Sequence, residues 1–191
     1  MTRQILVRLF EAASLSDAEI MTDALFAKYH DFDGILCADA YALENMIGER
    51  ATMLLKLSAA LASRRDTEKL KIGSVCNNPA AVREFIVALF RGCSTEMVYS
   101  ICFDEHRRVL SVDLIGEGTV NSTNVLPRKL VDIAVKNRAS SVIIAHNHPG
   151  GRATPSRQDI NFTVSVREML ASAGVNLTAH YAVASSNCVK V

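Results

Sequence analysis

The chain has 191 residues, of which 49% are hydrophobic and 21% charged, with a formal net charge of +1. That is enough apolar material for a sizeable core with a smaller companion unit, and a charge so near zero excludes a general attraction to nucleic acid or acidic membrane. The apolar patch 5–7 is cut short by Arg8 and no run could span a bilayer, so the chain reads as soluble and cytoplasmic, with no signal peptide and no membrane partner.

In chain order, residues 16–30, 41–46 and 49–64 read as helices, with Leu15, Ile20, Leu25, Leu43, Leu54, Leu55 and Leu61 on their apolar faces. The pattern shifts over 66–72, so residues 1–68 form an all-helical unit and residues 69–191 a second domain. There a helix at 79–91 leads to strands at 97–103 and 109–115, joined by an exposed turn at Asp104, Glu105, His106, Arg107 and Arg108. A helix at 128–137, a strand containing the apolar run 142–145, a helix at 156–173 and a strand at 175–183 complete the order. Helices alternating with strands, two of them hairpin-like, predict an α/β (mixed α+β) fold: a mixed sheet flanked by helices, preceded by a small helical domain. There is no internal repeat, and Gly48, Gly116 and Gly118 are too isolated for a phosphate-binding fingerprint. The scattered cysteines Cys37, Cys76, Cys93, Cys102 and Cys188 form no C-x-x-C pair and read as reduced thiols, with Cys102 in the core; a thiol nucleophile beside a histidine is a weak runner-up.

The chemistry concentrates between His146 and Asp159. Side chains alternate along a strand, so His146 and His148 leave the end of the 142–145 run on one face. A Pro/Gly loop follows, and Ile160, Val164, Met169 and Leu170 then recur at helical spacing, which places Asp159 in a first turn where the helix dipole favours a carboxylate. Two imidazoles and one carboxylate suit zinc with its fourth position left to water, the pattern of a hydrolytic centre. Ser156 and Asp159 read equally well as a helix-capping pair, Ser156 or Thr154 being the cap, and the two readings are compatible.

This H-x-H, seven residues, Ser, two residues, Asp pattern resembles the JAMM (MPN-type) metalloprotease motif. The flanking words Gly118-Thr119-Val120-Asn121-Ser122, Pro127-Arg128, Ala145-His146-Asn147-His148-Pro149 and Pro155-Ser156-Arg157-Gln158-Asp159 resemble its bacterial RadC branch, over residues 72–183. The resemblance implies a JAMM/MPN-like (cytidine deaminase-like) fold, Zn2+ held by His146, His148 and Asp159, Glu96 as general base, and Ser156 as a hydroxyl near the developing oxyanion. It implies cleavage of a peptide or isopeptide bond in a protein or peptide substrate. Two positions depart from the family pattern: Gly150 stands where Ser is usual, and Ala179 replaces the Asp that commonly precedes His180. His180 therefore reads as a structural residue or a ligand's partner; His106 and His30 support no site.

Two other functions stay open. RadC relatives commonly carry a helix-hairpin-helix in the helical unit, whose Gly turn offers backbone amides to a DNA phosphate. Here the matching turn, 45–50, is degraded: one Gly remains, and Glu49 would face the phosphate, although Arg50, Lys56, Arg64 and Arg65 could form a basic face. A DNA-associated, repair-related protein with an accessory metal domain is the alternative, and a metal-retaining scaffold without turnover is the third. Substrate specificity is expected from loops 116–124 and 150–154; composition sets no oligomeric state.

Overall fold

A computed structural model describes residues 2–67, 71–118 and 125–191, with the side chains of Val125 and Leu126 excepted. The expected boundary at 68/69, residues 119–122 of the family words and most of the 116–124 loop lie outside the described residues.

The first part is helical: α1 (Thr2–Ala12), α2 (Ala18–Tyr29), α3 (Phe32–Cys37) and α4 (Ala40–Thr67). They close on an apolar cluster of their own, including Leu6, Phe10, Leu25, Ile35, Leu43 and Leu55. The helix α1, read from sequence only as a short apolar patch, inserts Leu6, Val7 and Phe10 into this cluster. The two helices expected at 41–46 and 49–64 form α4, broken at Gly48, whose φ of 78° and ψ of 164° are open to glycine alone. Lys56, expected on a basic face, is instead half-buried, its ammonium group donating to the carbonyls of Leu36 and Ala38. It thereby satisfies orphan carbonyls at the C-terminus of α3.

The second part is a five-stranded mixed sheet: β1 (Met97–Phe103), β2 (Val109–Glu117), β3 (Ser141–Asn147), β4 (Asn176–Ala184) and β5 (Asn187–Lys190). Strand order is β2-β1-β3-β4-β5, with β3 and β4 parallel and the other neighbours antiparallel. Helix α5 (Pro79–Leu89) opens with Asn78 as cap and Pro79 in its first turn. It covers one face of the sheet through Val82, Phe85 and Ile86, which pack with Ile101, Ile143 and Val183. Helices α6 (Val125–Lys136) and α7 (Arg157–Ser172) cover the other, Leu130, Ala134, Val166 and Leu170 packing with Val98, Val142 and Ile144. Parallel β3 and β4 need a crossover, and α7 supplies it. α6 starts before its expected position at 128, since a first-turn amide lacks an intrahelical partner and Pro127 costs nothing there. Among the described residues no helix is long and apolar enough to cross a membrane.

The helical part docks on the C-terminal end of α5. The Ser63 hydroxyl donates to the carbonyl of Ala88 (2.7 Å), and Asp66 pairs with Arg91. Gly92 packs so closely that an added Cβ would lie 2.9 Å from that of Ala59, at a φ of 80°. Gly92→Ala is therefore expected to cost about 1–3 kcal/mol, by strain and overpacking together. A urea midpoint equal to the parent's would show that the docking is loose.

Candidate metal centre

The site forms where β3 ends and α7 begins. The residue pair His146 and Val98 is in register across β3 and β1, and His146 shares the α6/α7 face of the sheet with Val142 and Ile144. His148 lies just beyond the strand, and its Nδ1 is 2.8 Å from the carbonyl of Arg152. A carbonyl only accepts, so Nδ1 carries a proton, and the tautomer this selects is the one whose Nε2 lone pair is turned to the site. Ser156 caps α7: its hydroxyl accepts from the Asp159 amide (3.2 Å), while Asp159 Oδ2 accepts from the Ser156 amide (2.6 Å) and hydroxyl (2.7 Å). The cap and the candidate ligand are thus one arrangement, a capping box that aims Asp159 at the histidines.

The candidate ligand atoms of His146, His148 and Asp159 all lie within 4.8 Å of one another. His146 Nε2 is 3.0 Å from His148 Nε2 and 3.1 Å from Asp159 Oδ1, and His148 Nε2 is 3.7 Å from Asp159 Oδ2. A tetrahedral ion with ligands at 2.0–2.1 Å separates them by about 3.3 Å. The separations of 3.0 to 3.7 Å bracket that edge, although the two to Asp159 run through different oxygens, and the two Nε2 atoms are so close that facing lone pairs would repel without a proton or cation between them. The donor set therefore fits a small divalent ion of zinc's preference.

Electrostatics agree. Burial, ahead of the opposing pull of Asp159, lowers the His146 imidazole to about 4, so its ring stays neutral at neutral pH. Burial likewise takes His180 down to about 3. Burial pushes the Asp159 carboxyl up, but the Ser156 hydroxyl and amide, together with His146 and His148, outweigh it and hold the group below its ordinary value. Glu96 stands just before β1 and is partly buried. Burial raises its carboxyl, His148 opposes that, and Asp159 adds to it, so Glu96 feels two members of the triangle.

Two neighbours complete the surroundings: Asn147, which the sequence left without a part, and His180, expected as a structural residue or a ligand's partner. Asn147, between the histidines, accepts from the Met97 amide (2.7 Å) and donates to the Thr95 carbonyl (3.0 Å), clamping the backbone on both sides of Glu96. His180 places Nε2 2.8 Å from His146 Nδ1 and Nδ1 2.6 Å from the Thr163 hydroxyl, so its partners are side chains rather than backbone. Ala179 is buried in the opposite layer, against α5. Loop residues Gly151, Arg152, Ala153 and Thr154 border an open cleft that Asp31 of the helical part also lines.

By its match to a family model over residues 76–190, the sheet-bearing part of the chain is a JAB domain, a member of the JAMM/MPN class. The chain belongs to the RadC-like family: the family model described as the RadC-like JAB domain matches residues 76–190. A UPF0758 protein of Pseudomonas syringae pv. syringae (strain B728a) is 34% identical, the match covering 91% of this chain and 86% of that one. UPF0758 proteins of Shewanella sp. (strain ANA-3) and Halorhodospira halophila (strain DSM 244 / SL1) are each 31% identical, covering 93% and 87% of this chain and 87% and 75% of their own.

Proposed function

We propose that the chain is a zinc-dependent hydrolase of the JAMM type that cleaves peptide or isopeptide bonds. The triangle of His146, His148 and Asp159, with Glu96 beside it, carries this reading. His146 and His148 would hold the ion through Nε2, and Asp159 through a carboxylate oxygen. The ion supplies Lewis acidity there, lowering the pKa of water toward 7 and polarising a carbonyl.

Glu96 takes the proton as water oxygen bonds to the carbonyl carbon, and later delivers it to the amine nitrogen as the C–N bond breaks. Its raised pKa brings it nearer the operating pH for both transfers. Asn147 holds the backbone that carries it. Ser156 holds Asp159 by donating its one hydroxyl proton to Oδ2, and that proton would have to turn from Asp159 to serve a developing oxyanion when a substrate carbonyl enters.

The test is a library of peptides and isopeptide-linked conjugates incubated with zinc-loaded protein. Cleavage that a chelator stops and added zinc restores is expected; a fully loaded protein that cleaves no member would overturn the reading.

A further inference from the structure

His148 and His146 are held differently. A carbonyl fixes the tautomer of His148, but His146 Nδ1 faces another ring nitrogen, His180 Nε2, which can donate or accept. The proton order is decided one step further out. The Thr163 hydroxyl lies 2.6 Å from His180 Nδ1 and 2.6 Å from the backbone carbonyl of Asp159, four residues earlier on α7. It has one proton. Given to that carbonyl, which can only accept, it leaves the Thr163 oxygen to accept from His180 Nδ1–H. Neutral His180 then presents a lone pair at Nε2, takes the His146 Nδ1–H, and leaves the His146 Nε2 lone pair for the ion. The reverse order puts a proton on His146 Nε2, where it points at Asp159 Oδ1, 3.1 Å away, and blocks ligation.

We infer that His180 and Thr163 are positioning residues that hold His146 in its ligand-competent tautomer. The inference rests on the metal centre proposed above. The fold is built for the contact: pairing of β3 with β4 slips between Val142↔Leu177 and Ile143↔Ala179, so Thr178 is an extra residue. That irregularity reverses the alternation and turns His180 onto the face of His146 and α7, as bulges beside active sites do. All three groups are buried, with relative exposures of 2% for His146, 2% for His180 and 4% for Thr163, so water cannot substitute cheaply.

The experiment measures zinc affinity by chelator competition at fixed pH in the full chain, with a thermal melt of each variant to establish folding. His180→Phe is expected to weaken zinc roughly 10–100-fold, as loss of a ligand's hydrogen-bond partner does. Thr163→Val should weaken it less, and Thr163→Ser should restore it, a rescue that packing alone would not give. Nitrogen-15 NMR of the zinc-loaded parent should find protons on Nδ1 of both His146 and His180. Parent-like affinity in both His180→Phe and Thr163→Val, or a proton on His180 Nε2, would overturn the relay while leaving the metal centre standing. A parent with no zinc affinity would overturn both.

Discussion

Glu96→Gln is expected to lower kcat on any cleaved peptide by about 10²–10⁴-fold while zinc stays bound. Glutamine keeps the shape and can still hydrogen-bond, so the clamp of Asn147 on Thr95 and Met97 survives. It cannot take up a proton at neutral pH. Glu96 lies outside the ligand triangle of His146, His148 and Asp159, so affinity for the ion should move little. The split between turnover and occupancy is what separates a proton carrier from a ligand. Parent-like turnover in the Gln variant would remove Glu96 as the base, and simultaneous loss of zinc would make it part of the metal cage.

His148→Ala is expected to weaken zinc by more than the roughly 10–100-fold that follows loss of an outer partner. It removes one of three protein donors outright, and two donors do not hold zinc against water. The fold should survive, because His148 is only partly buried and belongs to no apolar cluster, whereas His146→Ala would also strand His180. A thermal melt near the parent's with zinc lost separates ligation from folding. Unchanged affinity would mean that the ion, if any, sits elsewhere.

The site was legible because its parts are adjacent in sequence and each obeys a local rule. A strand sends alternate residues to one face, and Ser156 and Asp159 carry the start signal of a helix, so the H-x-H and S-x-x-D words alone nearly build the triangle. The α/β order was legible for the same reason. What stayed hidden depends on contacts that no local pattern encodes. Helix α3 is six residues long, too short for a period, and owes its ends to the Asp31 cap and to Lys56 from another helix. Strand β5 is four mostly exposed residues without apolar alternation. The partner of His180 was missed because one extra residue in β4 inverts which side chains face α7. Lys56 looked like surface charge because only the packed fold brings the carbonyls of Leu36 and Ala38 to it.

The zinc content of the purified parent chain, measured by elemental mass spectrometry before and after incubation with zinc, decides whether the His146, His148 and Asp159 triangle is a metal centre. About one zinc per chain is expected, released by a chelator and taken up again. A chain that carries no metal and acquires none when zinc is supplied would contradict the hydrolase reading at its root.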